Sequence, residues 1–443
     1  MERLKQYLAE SGILDYLNGR GADVPPVYLV GGALRDILLG TIGADFDFIM
    51  PQDPTVCAKG LAHHFKGAFF ILDPTRNQSR VVIEIKGERI ICDFAPFRAP
   101  TLKEDLQNRD FTINALAWSC ASDSIQDYIF DPLNGIDDLR NGRLRVCSPQ
   151  SFQEDPLRTL KGIRHATCMH LTVEKETFSL LKDAVANIDQ IAPERIRAEL
   201  AKILADDAVT TGVRLLSESG LLAELFGQPQ PEGVSLAIER LDSLNSLLAD
   251  FRTDGTMAFQ TALDKKFEEY LKLSDVLKLS VFCRAYRPIA LKNVLRALRF
   301  SNRTIDFVME MQSRSLHNDL STILELPNVT RAEARWVANL GREPIGCLAL
   351  LMAEMLSFGM DMTDINRFAN SFFLHAEDEK LAELIDGNWL RTNYQIKEGP
   401  VVGRLLKLVE DAELKGEIST TQEAKKWLWE NQKTVDNILL EHL

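Results

Sequence analysis

The sequence predicts an α+β chain, in which a small N-terminal domain with a mixed sheet and helices is followed by an all-α remainder. Three observations carry this. Up to about residue 147, short apolar runs of strand character alternate with helical periods. Beyond Cys147 the helical period continues with few strand candidates. Polar, Pro/Gly-rich breaks at Gly227–Gly233 ("GQPQPEG") and Gly341–Pro344 ("GREP") then divide the helical part. The expected segments are 1–147, 148–226, 227–344 and 345–443.

The elements follow in order. "MERLKQYLAE" is charged and amphipathic and lacks an apolar h-region, so no secretory signal is expected. "PPVYLV" (25–30) reads as a strand, "ALRDILLG" (33–40) as a helix ended by Gly40, and "ADFDFIM" (44–50) as a second strand. "VCAKGLAHHFKG" (56–67) reads as a helix, followed by strands at "AFFIL" (68–72), "RVVIEI" (80–85) and "RIICDFAPF" (89–97). "RDFTINALAW" (109–118) reads as a buried helix or a strand-to-helix segment. "YIFDPLNGIDDLRNGRLRV" (128–146) carries turns at Leu133–Gly135 and Asn141–Gly142.

Composition bounds the function. The 443 residues are 45% hydrophobic and 26% charged, ordinary for a globular chain of several domains. No stretch approaches the roughly 18 apolar residues of a membrane span. The seven cysteines show no CxxC or zinc spacing and read as reduced thiols of a cytoplasmic protein. Lys+Arg 51 against Asp+Glu 64 leaves a formal charge of −13, which argues against non-specific coating of nucleic acid but leaves room for a local basic track.

Within "VYLVGGALRDILLGTIGADFDFIM", Asp45 and Asp47 share one strand face while Phe46 and Phe48 take the other. Two acids facing together repel unless a cation lies between them; a solvated edge-strand pair is the plain alternative. Gly31-Gly32, between a strand and a helix, could admit a phosphate close to backbone N–H groups or simply make a tight turn. Glycine turn, helix and Asp-x-Asp together suit nucleotidyl transfer, with two divalent ions held by the acids. A third carboxylate would complete the cage. Asp93 is the favoured candidate and Glu84 the alternative. In "EDLQNRDFTINALAW" (104–118), Arg109 could pair with phosphate, while Asp110 and Asn114 could hold a ribose or form a structural network. In "EDPLRTLKGIRHA" (154–166), helical spacing gathers Glu154, Asp155, Arg158, Lys161 and His165 on one side. That is a salt-bridge ladder, or else an Asp and an Arg presented to a base edge.

Four segments in fixed order, "LVGGALRD…ADFDF", "EDL…RDFTINALA", "DPLNGIDDL…LR" and "EDPLRTLKGIRHA", resemble the class II tRNA nucleotidyltransferases. That family, within the DNA polymerase beta superfamily, includes CCA-adding enzymes, CC-adding and A-adding relatives, and bacterial poly(A) polymerases. "APERIRAELAKIL" (192–204) and "GPVVGRLLKLVEDAELKGEISTTQEAKKWL" (399–428) are similar to its neck and tail. The resemblance implies a head, neck, body and tail, a nucleotidyltransferase acting on the tRNA 3′ end with CTP and/or ATP, and Mg2+, with no membrane or DNA partner. It implies that Asp45 and Asp47 are the metal ligands, and that Gly31, Gly32, Arg35 and Asp36 make triphosphate and head-domain contacts. Arg109, Asp110 and Asn114 match the ribose-discriminating segment, and Asp155 and Arg158 the pair that selects the incoming base, with Lys161 nearby. Arg195 and Arg197 fall in the neck, and Arg404 and Lys407 in the tail, where RNA contacts are implied; a solvated helix face explains any one tail cation equally. Lys161 and His165 depart from the family's usual Arg and Phe. "LLAELFGQPQPEGVSLAIERL" lacks the His-Asp stretch of many relatives, so no phosphohydrolase activity is expected. Between Arg98 and Leu102 only Ala99, Pro100 and Thr101 intervene. Full CCA-adding enzymes often carry a longer flexible loop there, so the short one leans towards CC addition. A poly(A) polymerase for general RNA 3′ ends is the rival enzyme reading, and an inactive RNA-binding module the non-enzyme one.

Overall fold

The structure is a computed structural model that describes residues 2–19, 25–121, 129–253, 257–314, 330–340, 343–357 and 383–440. The chain divides into two compact units, Met1–Ile203 with Leu215–Glu224, and Leu204–Arg214 with Leu225–Leu443.

The first unit is built on a mixed sheet. After helices α1 (Glu2–Glu10) and α2 (Ile13–Asn18) come strand β1 (Tyr28–Val30), helix α3 (Gly32–Leu38), strand β2 (Asp45–Met50) and helix α4 (Thr55–His64). Strands β3 (Ala68–Asp73), β4 (Gln78–Ile85) and β5 (Glu88–Pro96) follow, then helix α5 (Leu102–Gln107) and strands β6 (Ala117–Ser119) and β7 (Ile129–Phe130). The sheet order is β3-β4-β5-β2-β1-β6-β7. β2 and β5 run parallel, and the neighbouring pairs on either side run antiparallel.

Alternation along β2 decides what each face does. Phe46 and Phe48 are 2% and 1% exposed and join a core with Leu8, Ile13, Leu29, Leu61, Phe94 and Trp118 under the covering helices. Phe48 stacks on Phe94 with ring centroids 5.2 Å apart. Burying each such ring contributes about 1.5–3 kcal/mol, so a one-residue slip that exposed them and buried the acids is strongly disfavoured. Asp45 and Asp47 therefore stay on the opposite, open face.

Three local readings differ from expectation. "RDFTINALAW" forms a 3₁₀ turn at Thr112–Asn114 and then strand β6, the reverse of strand-to-helix. The Asp110 carboxylate takes the Phe111 N–H at 2.8 Å, competing with helical pairing, and Ala117–Ser119 then pairs with β1 on one side and, through Ala117 and Trp118, with β7 on the other. The turn at Leu133–Gly135 opens a helix, α6 (Gly135–Arg140), because Asp131 caps the N–H groups of Gly135 and Ile136 at 2.8 and 3.0 Å. Beyond Cys147, residues Thr172–Val173 make a two-residue parallel ladder with Arg143–Leu144. Otherwise the remainder is helical as expected, beginning with α7 (Ser151–Glu154) and α8 (Leu157–Cys168).

In the second unit, Gly233–Thr253, Leu273–Cys283 and Pro344–Ser357 pack together, Leu273–Cys283 being buried along its whole length. The segments 387–394, 400–414, 421–430 and 432–440 share a smaller core around Leu390, Leu405, Val409, Leu428 and Val435. Gly341 and Arg342 of the second expected break lie outside the described residues. None of the seven cysteines is joined in a disulfide, and among the described residues no helix is long and apolar enough to cross a membrane.

Candidate active site

The open face of the sheet gathers the acids. The parallel register sets Asp47 beside Asp93, and β1 sets Val30 on its other side. Glu84 pairs with Arg89 towards the far end of the β4–β5 ladder, so Asp93, not Glu84, neighbours the pair. Gly31 follows β1 with φ 75°, a left-handed backbone that disfavours other residues. A Cβ there would stand 3.4 Å from Arg109 Nη1 and 3.5 Å from Asp47 Oδ2, so the glycine also gives these two groups their room. A Cβ on Gly32 would meet the Arg35 guanidinium at 3.4 Å. Asp47, Asp93, Arg98 and Arg109 line one pocket of about 170 Å³, together with Leu72 and Gln78.

Charge in this pocket is closely matched. Crowding by the surrounding protein and then the Asp93 and Asp45 charges raise the Asp47 carboxyl above its ordinary range, against the pull of Arg109 and Arg98. Although its carboxylate is crowded, Asp47 keeps its surface open to solvent. Asp93 is held by a two-pronged ion pair, Arg80 Nε to Oδ1 at 2.8 Å and Nη2 to Oδ2 at 2.9 Å. Among the described residues no group of three or more His, Cys, Asp or Glu is arranged to hold a metal ion. Asp105, 1% exposed, accepts from the Arg98 N–H at 2.8 Å and from Arg109 Nε and Nη2 at 3.3 and 3.2 Å. It thereby aims Arg109 and anchors the connection from β5 to α5.

A second chain of contacts ties α3 to α8. Arg35 donates to Asn114 Oδ1 at 2.7 Å and to Asp36 Oδ1 at 2.8 Å, and Asn114 Nδ2 donates to Asp110 Oδ1 at 3.0 Å. Burial pushes the Asp110 carboxyl up, but His165, Lys161 and its hydrogen bonds outweigh that and hold it down at about 2. Burial, with Arg164 next, pushes His165 well below its ordinary value, against the pull of Asp110. Asp110, Asn114, Arg35 and Lys161 are thus brought together as one polar patch, and Asp36 sits at its edge.

Asp155 and Arg158 are not paired with each other. Asp155 accepts from the Leu157 N–H at 3.2 Å and meets Arg195 at 3.6 Å. Arg158, 9% exposed, donates to Ser151 Oγ at 2.7 Å, to the Asn108 carbonyl at 3.0 Å and to Glu154 at 3.4 Å, binding α7 and α8 to the loop that carries Arg109. Arg197 is half-buried on the helix Pro193–Ala205. Arg404 and Lys407 belong to Pro400–Leu414 of the second unit, where Lys407 lines a pocket with Arg335, Glu410 and Glu413.

The sequence reading missed Arg80, Arg98 and Asp105. A signal for Arg80 was present. Lys86 and Gly87 both take positive φ, 54° and 82°, as a two-residue hairpin turn requires, and counting outward from that turn pairs Arg80 with Asp93. Asp105 had only the spacing Asp-x-x-x-Arg on a short helix, which is common on any surface.

Comparison with known proteins places these features. Residues 27–145 match a profile described as the poly A polymerase head domain, and residues 170–233 one described as a probable RNA and SrmB-binding site of polymerase A. The chain is 29% identical over 411 residues to a CC-adding tRNA nucleotidyltransferase of Geobacter sulfurreducens, covering 92% of each. It is also 29% identical over 442 residues to an A-adding tRNA nucleotidyltransferase of Deinococcus radiodurans, covering 91% of this chain and 95% of that one. Its fold is similar to that of a Thermotoga maritima CCA-adding enzyme complexed with tRNA, with TM-score 0.68, 24% identity, and coverage of 99% and 96%.

Proposed function

The chain belongs to the class II tRNA nucleotidyltransferase family, and from that premise we propose that it adds C to the tRNA 3′ end and stops at CC. Nucleotidyl transfer at a tRNA 3′ end is the activity; the choice of C is the finer reading. The observation that supports it is the connection from β5 to α5. Thr101 and Glu104 form a reciprocal capping box, and buried Asp105 holds the Arg98 N–H, so the few residues between are tied at both ends. A connection fixed in this way offers no segment to reshape the base pocket from C to A.

The donor set suits a divalent cation. Asp45 and Asp47 are hard oxygen ligands side by side on an open face, and Asp47 is raised by crowding and by its acidic neighbours in spite of Arg109 and Arg98. One or two carboxylates with substrate phosphates are what Mg2+ commonly uses. Asp45 and Asp47 would hold it, and bound there it would offset phosphate charge and acidify the attacking hydroxyl. The protein's own groups do the rest. Gly31 leaves backbone room for the triphosphate beside Asp47, and Arg109, aimed by Asp105, meets its charge. Asp110 and Asn114, braced by Arg35, present fixed acceptor and donor atoms for the ribose. Asp155, Arg158 and Lys161 border the place for the base, where the Asp155 carboxylate is held by the Leu157 N–H and, more loosely, by Arg195. The tRNA 3′-hydroxyl attacks the α-phosphate and pyrophosphate leaves, with Asp47 or Asp93, neighbours in register, taking the hydroxyl proton.

The test is incubation with tRNA ending at the discriminator base, at C or at CC, with each NTP separately. C incorporation on the first two and no A on tRNA-CC is expected. A incorporation on tRNA-CC overturns the CC reading, and extension of an unstructured oligo(A) with ATP in preference to tRNA favours a poly(A) polymerase.

A further inference from the structure

Each acid lining the pocket is answered by a guanidinium. Asp93 is forked by Arg80, and Asp47 faces Arg109 and Arg98. Arg80 also lies within reach of the Asp45 and Asp47 charges, and its side chain is 41% exposed. A divalent ion approaching the nucleotide-free site therefore meets little net negative charge, and one of the flanking carboxylates already has both oxygens occupied. A triphosphate brings several negative charges of its own and is itself a good partner for a guanidinium.

We propose that Arg80 is a positioning residue that makes ion loading depend on the nucleotide: by cancelling the charge of Asp93 it keeps the empty site weak for divalent cations until the triphosphate arrives. The hairpin that carries Arg80 is fixed by the Lys86–Gly87 turn, so the guanidinium is held opposite Asp93 by register and not by chance rotamer. The inference rests on Asp45 and Asp47 being the ion-holding pair.

The experiment is Mn2+ binding to the full chain without nucleotide, followed by the electron paramagnetic resonance of free Mn2+. Arg80→Gln should bind Mn2+ about tenfold more tightly than wild type, as expected when one positive charge a few ångströms away is removed in a partly screened site. Arg80→Lys, which keeps the charge but not the two-pronged geometry and guards against a folding defect in Arg80→Gln, should fall between wild type and Arg80→Gln. Asp93→Asn should weaken binding, and the double variant Arg80→Gln/Asp93→Asn should return it towards wild type, as coupled neighbours do. Equal or weaker Mn2+ binding by Arg80→Gln overturns the role of Arg80. Loss of all dependence on Asp47, read with Asp47→Asn in wild-type and Arg80→Gln backgrounds, overturns instead the reading of the site beneath it.

Discussion

Gly135→Ala sets two physical rules against each other. Gly135 opens the short helix α6, and its backbone is not left-handed, so helix propensity alone predicts that alanine stabilises by about 1 kcal/mol. Packing predicts the opposite. A Cβ built there would lie 2.0 Å from the Thr112 carbonyl oxygen, 2.6 Å from its carbon and 3.2 Å from the Ile113 nitrogen. Since ordinary contact begins near 3.4 Å, one backbone segment must move by about 1.4 Å. Overpacking of this kind costs about 1–3 kcal/mol, and the displaced turn also loses the Thr112 hydroxyl bond to Asp138, 2.7 Å long and buried, for about 1 kcal/mol more. Set against the propensity gain, the net expectation is a loss of about 1–3 kcal/mol. Asn114 ends that turn and links Arg35 to Asp110, so nucleotide incorporation should fall together with stability. Urea unfolding followed by circular dichroism, with CTP incorporation measured on the same preparation, reads both. A Gly135→Ala variant as stable as wild type, or more so, with full activity would refute the steric argument.

Two further expectations concern ionisation. Asp47 is raised by crowding and by its acidic neighbours, so its ionised form destabilises the fold: stability from its protonated form is present below the ordinary value of 3.8 and is lost as pH rises through the folded value. Asp47→Asn should therefore raise the unfolding midpoint at neutral pH in EDTA, leave it unchanged below pH 3.8, and abolish incorporation with RNA binding retained; a variant less stable at neutral pH would contradict the assigned charge balance. His165 is depressed by burial, so its contribution is present above the ordinary value of 6.5 and is lost as pH falls below it. His165→Phe should flatten the unfolding free energy between pH 6.5 and the onset of carboxylate titration, and an unchanged slope there would show that the ring is accessible to protons.

The front face of the sheet was legible because period-two alternation is local. Phe46 and Phe48 had to face the core, so Asp45 and Asp47 had to face away, and any strand in register would bring its own acid to them. Which acid, and what held it, depended on pairing between distant strands. The register of β5 against β2 decided Asp93 over Glu84, and the register of β4 against β5 supplied Arg80. Arg158 shows the converse limit. Its spacing from Asp155 was correct for a shared helix face, but Asp155 ends α7 at φ −144° while Arg158 stands on α8, and the two side chains take different partners. Side-chain direction at a helix terminus is set by the cap, which periodicity does not report. The helix α6 was hidden because its capping residue, Asp131, lies before a proline and a left-handed Asn134 that together read as a loop.

The topology of the sheet separates a local contact from a distant one. The β4–β5 hairpin closes through a two-residue turn and sets Arg80 opposite Asp93, 13 residues along the chain, whereas β2 reaches β5 by a crossover that spans α4, β3 and β4 in sequence. The guanidinium–carboxylate fork is therefore specified by a single hairpin, and the meeting of the two acids by long-range pairing alone.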